Sequence, residues 1–350
     1  MSFTFRRYFI TGVVCLAILG SALLGNSVRT TLASSSHATH ASQHAKALTD
    51  VHFILNWIPN VEFAGLWVAQ HFGWWKAAGL SMSYTPYSIS VHPETDVATR
   101  GGNTFGFQSG AALVIARSQG VPDRALYTDT QRSVFGLSVL ASSKIHKITD
   151  LRGKRVGYQA HEGYVPDTML AYDGLKPSDW KPVIVGYNTD QLTSGAVDAY
   201  LVFLNNEPIE LALAGVKTRS FAASKYGFHA YDDVMFTTDK EIGTNPNLVR
   251  KVTKIVARGF AWAHTHHLGA VRITIHAPNV AQYKLSQRQQ VAELNAFNQF
   301  SRDSRGKFTG RMTAATWKGT VKTLLHYGEI KHSVKSGALF TNRFNPYKKM

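Results

Sequence analysis

At 350 residues, 44% apolar and 11% aromatic, the chain is long enough for two ordinary lobes or one large domain, and its composition is globular rather than disordered. Its formal charge of +16 sets 38 Lys and Arg against 22 Asp and Glu; Arg6, Arg7 and Arg29 are the only charged residues in 1–45, which leaves 38 − 3 − 22, or +13, on the remainder. Those cations are scattered, apart from 144–155 and the tail Lys348-Lys349, which argues against a nucleic-acid partner.

Arg6-Arg7 precede an apolar run over 8–24, and small polar residues follow, with Ala33, Ala38 and Ala41 as candidate cleavage points. This three-part layout predicts a secretory signal over 1–33, cleaved somewhere in 33–46. Arg6-Arg7-Tyr8-Phe9-Ile10 also resembles a twin-arginine export signal, although Phe5 stands where Ser or Thr is usual, so both export routes stay open. Uncleaved, the run would be a single anchor with its basic end inside. Cys15, the sole cysteine, lies within this run, so the exported form has no disulfide, cysteine nucleophile or Cys-ligated metal. Residues 34–48 predict a flexible tether, with His37, His40 and His44 read as solvated.

The stretch 53–79 predicts a buried strand at Phe53, Ile54 and Leu55, stopped by Pro59, then a helix over 64–77 ended by Gly79. The turn between them carries Asn56, Trp57, Asn60 and Glu62, and loops at the carboxyl ends of strands are where open α/β sheets bind ligands. Trp57 is therefore either a core anchor or a wall for a flat ligand. Strands follow over 80–87, 104–107, 124–129 and 135–141, with a short helix at 95–99 and another at 109–118 capped by Ser109. Thr149 is read as capping a turn at 149–151. Further strands are expected at about 155–158, 183–187, 197–203, 218–222 and 235–238, with helices near Pro166, Thr189 and Pro208. The remainder reads as helices over 246–266, 288–300 and 313–327, with core and basic faces alternating over 247–258. Short strands alternating with helices predict α/β architecture with mainly parallel pairing.

The segments LNWIPNVEFAGLWVAQHFGWWKAAGL, FGFQSGAALVIARSQGVP, ITDLRGKRVGYQAHEG and VDAYLVFLNNEPIELALAGV, in this order, resemble a known family. It comprises extracytoplasmic solute-binding proteins for thiamine-type pyrimidines and riboflavin, and a pyrimidine synthase of the same fold. The resemblance covers most of 50–238. It implies a type II periplasmic-binding-protein fold: two lobes, 49–131 plus 235–350 and 132–234, hinged near Gln131-Arg132 and near Asp233-Val234. It further implies a monomeric binding component of an ABC importer that closes on a small heteroaromatic ligand and meets an inner-membrane permease. Its place would be the periplasm or the outer face of the cytoplasmic membrane.

Carried over by position, the ligand-binding candidates are Asn56, Trp57, Asn60, Glu62, Gln108 and Ser109 from one lobe. From the other they are Gln159, His161, Glu162, Gly163, Tyr164, Tyr200, Asn205, Asn206 and Glu207. Trp57 would stack on a ring, and Glu62, Glu162 and Glu207 would accept from a donor-rich ligand. Ser109 at a helix start either caps it or helps hold an anion, and Glu207 before Pro208 is equally an acid placed for a helix N-terminus. The synthase uses a lysine-bound pyridoxal phosphate, one of its own histidines and a cysteine-rich iron-binding segment. Gln108 and Ala112 stand at the lysine and histidine positions, and no cysteine follows Cys15. A glutamine amide forms no imine. No catalytic residue, cofactor or metal is therefore expected; His264, His266 and His267 are read as helix-end residues rather than metal ligands.

Overall fold

The computed structural model describes residues 47–347 except Ile89 and His161. The leader, most of the tether, Lys348-Lys349 and the candidate His161 lie outside the described residues. In chain order the first elements are β1 (Thr49–Ile54), α1 (Ala64–His71), α2 (Trp74–Ala77), β2 (Leu80–Thr85), α3 (Pro93–Arg100), β3 (Thr104–Gln108), α4 (Gly110–Ser118) and β4 (Asp123–Thr128). Next come β5 (Phe135–Leu140), β6 (Arg155–Tyr158), α5 (Tyr164–Tyr172), β7 (Lys181–Ile184), α6 (Asp190–Thr193), β8 (Ala199–Phe203), α7 (Glu207–Leu213) and β9 (Thr218–Ala222). The chain continues through β10 (Val234–Thr238), α8 (Asp239–Thr244), α9 (Pro246–Ala263), α10 (His267–Ile275), α11 (Gln287–Phe300), α12 (Ala314–His326) and α13 (Ser336–Leu339).

Every expected strand is present, and Ser109 caps α4 by accepting from Ala112 N. Two local readings need correction. The helix expected over 64–77 is broken at Gly73, whose φ of 66° is a left-handed, helix-ending conformation, leaving α2 as a separate turn. The turn at 148–151 is capped by the Asp150 carboxylate, which accepts from His146 N and Lys147 N, and not by Thr149. Helices α8, α10 and α13 were not anticipated.

The strands form two five-stranded sheets, ordered β2-β1-β3-β10-β4 and β7-β6-β8-β5-β9. Both are mixed. Four strands in each run one way, while β10 and β5 run against both their neighbours, so pairings divide evenly between parallel and antiparallel. The expected mainly parallel sheets hold for strand direction but not for pairing. The physical reason is the chain's passage between sheets. A strand that begins where the chain has just arrived from the other sheet starts at the end where its neighbours stop, and so must run backwards. β5 and β10 are those two strands, entered from crossovers at 129–134 and 223–233.

The crossovers are tied together. Asp129 N donates to Asp233 O at 3.2 Å, Val134 N to the Asp232 carboxylate at 2.8 Å, and the hydroxyls of Thr128 and Thr130 both donate to Asp232 O. His264 Nε2 lies 2.8 Å from Asp129 Oδ1, with both side chains buried, so this histidine secures the crossover rather than ending a helix in solvent.

The first sheet buries Phe53, Phe105 and Phe107 against α1 and α9. Helix α1 is buried from Ala64 to Ala69, as an apolar helix covered on all sides must be. Its approach to α9 rests on two glycines, since a methyl group on Gly259 would overlap the carbonyl oxygen of Gly65. In the second sheet β8 sends Ala199 and Leu201 to one core and Tyr200 and Val202 to another, the two-residue alternation of a strand covered on both faces.

Candidate ligand-binding site

The carboxyl ends of β1, β2, β3, β6, β7 and β8 and both crossovers converge on a cavity of about 520 Å³. This is within the ~300–1,000 Å³ usual for small-molecule sites. One wall is aromatic. Trp57, just after β1, stacks on Tyr87, after β2, with centroids 5.6 Å apart. Tyr187, after β7 of the other sheet, reaches across to Trp57 at 5.4 Å. The wall thus takes rings from both sheets, and offset aromatic faces of this kind hold flat π-systems.

The opposite character comes from carboxylates. Glu62, Glu162, Asp232 and Asp233 all line the cavity. Burial pushes Glu62 up to about 8, with Glu293 next in effect, while the neighbouring Asn56 side chain opposes the shift. Burial, then the charges of Glu207 and Asp232, push Glu162 up to about 8. Burial raises Asp232 to about 6 against the hydrogen bond from Val134 N, and raises Asp233 well above its usual range, with Glu62 adding to the effect. Several acceptor atoms here have no partner: Asn56 Oδ1, Glu162 Oε2, Asn205 Oδ1, Asp232 Oδ1 and both Asp233 oxygens. A buried acceptor left unpaired costs ~1–3 kcal/mol, so these atoms are placed for donors from outside the chain. Among the described lining residues there is no Lys or Arg.

Of the sequence candidates, Asn56, Trp57, Glu62, Gln108, Ser109, Glu162, Tyr164, Asn205 and Asn206 line this cavity. Others are placed elsewhere. Asn60 is buried as the cap of the 3-10 turn Val61–Phe63, accepting from Glu62 N through its side chain and from Trp67 Nε1 through its carbonyl, so it aims Glu62. Tyr200 is fully buried, accepts from Gln159 Nε2 at 3.0 Å and donates to Gly186 O at 2.7 Å; both side chains lie under the floor. Gly163 lies against the Tyr158 ring. Glu207 opens α7, and its carboxylate accepts from Phe203 N at 2.7 Å, tying the end of β8 to the helix start.

Gln108 and Ser109 line the cavity with their polar groups already engaged. Gln108 donates to Glu94 at 2.9 Å and accepts from Ser109 N at 2.8 Å. With Gly110 N bonded to Tyr231 O and Ala112 N to Ser109 Oγ, three donors at the start of α4 are already engaged within the fold. Sequence reasoning missed Tyr87, Tyr187, Asp232 and Asp233. The signals were available: both tyrosines are the last residues of predicted strands, and Asp232-Asp233 is an acidic doublet directly before an apolar strand.

Two mixed sheets joined by paired crossovers, with the cavity where strands end, define a periplasmic-binding-protein fold. The periplasmic aliphatic sulphonate binding protein SsuA from Escherichia coli superposes on it with a TM-score of 0.66 at 12% identity, over 86% of this chain and 94% of that one. The "NMT1/THI5 like" family model matches residues 60–268, more than half of the sequence, and the chain belongs to that family. Among its relatives, the riboflavin-binding protein RibY of Chloroflexus aurantiacus is 26% identical over 91% of this chain and 92% of its own length. A 4-amino-5-hydroxymethyl-2-methylpyrimidine phosphate synthase of Legionella pneumophila is 27% identical over 61% of this chain and 68% of its own.

Proposed function

We propose that this protein is the exported substrate-binding component of an ABC importer, capturing a small heteroaromatic vitamin or precursor, either a thiamine-type aminopyrimidine or riboflavin. Capture is by closure of lobes 49–131 plus 235–350 and 132–234 about the two crossovers, with an inner-membrane permease as partner. The observation that carries this reading is the pairing of the Trp57–Tyr87–Tyr187 wall with unpartnered buried acceptors in a cavity whose described lining has no Lys or Arg. A flat ring takes the wall, and its amino, imino or hydroxyl donors satisfy Glu162, Asn205 and Asp232. A sulfonate or phosphate would instead bring its charge into a site of buried carboxyl groups, with no Lys or Arg among the described lining residues to offset it. The ligand is therefore a neutral or cationic, donor-rich molecule.

The synthase reading, which a relative's name also brings in, is disfavoured by Gln108. The amide at the imine-forming position bonds Glu94 and the α4 backbone, so it serves the fold. The residues present do not suit a lysine-bound cofactor there.

A thermal-shift screen with riboflavin, unphosphorylated aminopyrimidines, thiamine and an alkanesulfonate tests the proposal. A ligand at a hundred times its Kd adds ~2.7 kcal/mol of stability. Stabilisation by the sulfonate alone would overturn it.

A further inference from the structure

The basic face of α9 is not used by the cavity. Pro246–Ala263 buries Val249, Val252, Val256 and Phe260 on one side, while Arg250, Lys251, Lys254 and Arg258 stand exposed on the other. These cations adjoin aromatic rings. Arg258 lies 3.7 Å over the ring of Trp74, Trp74 stacks on Phe72 at 5.3 Å, and Phe72 meets Trp262 edge to face at 5.1 Å. Phe72 keeps 44% of its surface exposed although this ring is large and apolar. The face also adjoins the point where the preceding chain enters the fold. Lys251 Nζ donates to Ala78 O, and Thr49 N donates to Gly79 O, so β1 begins one residue beyond the contact made by α9. Leu48, just before it, is exposed. The nearby Asp50 carboxylate is held by the hydroxyls of Ser81 and Ser83.

We propose that this face rests on an anionic lipid surface. Lys and Arg over headgroup phosphates, with Trp and Phe rings at headgroup depth, is how a folded protein lies on a bilayer without crossing it. Two features favour lipid over a protein partner. The cations form a stripe along one helix, which suits a continuous sheet of charge. The aromatic rings Phe72, Trp74 and Trp262 sit beside that stripe. The charge of +13 beyond residue 45 has the required sign.

The test uses the full chain with vesicles of phosphatidylglycerol and phosphatidylcholine brominated in their acyl chains, against vesicles of brominated phosphatidylcholine alone, reading tryptophan quenching. Quenching is expected on the anionic vesicles and is expected to fall in about 0.5 M salt. Each cation removed should weaken the charge-dependent part about five-fold, so Lys251→Gln with Lys254→Gln and Arg258→Gln should need on the order of a hundred-fold more anionic lipid. Trp74→Phe with Trp262→Phe should still bind those vesicles but lose most of the quenching. Equal quenching on both vesicle types, an unchanged lipid requirement in the triple variant, or full quenching without the two tryptophans would each overturn the proposal. Should the triple variant fail to unfold at the parent's thermal midpoint, Lys254→Glu alone carries the comparison.

Discussion

Glu162 offers the most direct measurement of the cavity's electrostatics. Its carboxyl titrates near 4.5 in an unfolded chain and is pushed up to about 8 in the fold, first by burial and then by Glu207 and Asp232. Between these values the folded state holds a proton that the unfolded state has released. The resulting stabilisation is complete below about pH 4.5 and disappears as pH rises through about 8, with a limiting slope of ~1.4 kcal/mol per unit. Over pH 5.5–7.5 that is a ceiling of ~2.7 kcal/mol. The side chain is only partly buried where it faces the cavity, and solvent screening reduces the figure to ~1–2 kcal/mol. Glu162→Gln keeps the shape and removes the titration. Urea unfolding of the ligand-free protein should find parent and variant alike near pH 4, with the variant gaining on the parent by that amount between pH 5.5 and pH 7.5. Parallel pH dependence in the two proteins, or a less stable variant at pH 7.5, would refute the reasoning, because it would mean a carboxylate that ionises freely in place.

Trp57→Ala should weaken binding of the aromatic ligand found in the thermal-shift screen by about ten-fold or more, since stacked pairs contribute ~0.5–1.5 kcal/mol beyond buried area; calorimetry measures it. Gly259→Ala should force α1 and α9 apart and cost up to ~3 kcal/mol, the upper end for overpacking, read as a lowered urea midpoint. Asp129→Ala leaves His264 buried without its carboxylate and the crossover less firmly tied. It should cost ~1–3 kcal/mol in the same assay.

Local features were the legible ones. Gly79 as a helix stop and Ser109 as a cap act within a few residues, and both occur as read, with Gly79 at a φ of 76°. Pairing was less legible, because the reversal of β5 and β10 depends on where the chain changes sheets, which no window of the sequence carries. The cavity divides the same way. Trp57 and Glu162 stand out by type and position, but the exposure of Tyr200 depended on strand parity: Ala199 and Leu201 take one face and Tyr200 the other, away from the cavity. Asp232 and Asp233 were passed over because acids before a strand usually face solvent. Here the crossover turns them inward, with Asp233 at a φ of 50°.

The position of β10 has a consequence for how the protein is made. It is inserted between β3 and β4, yet more than a hundred residues separate it from either strand in sequence. As the chain is synthesised, β4 therefore waits without its partner until the whole second sheet has emerged. That sheet is contiguous from β5 to β9 and depends on no later strand, so it can form first. Contacts between distant segments are slow to form and leave strand edges exposed meanwhile.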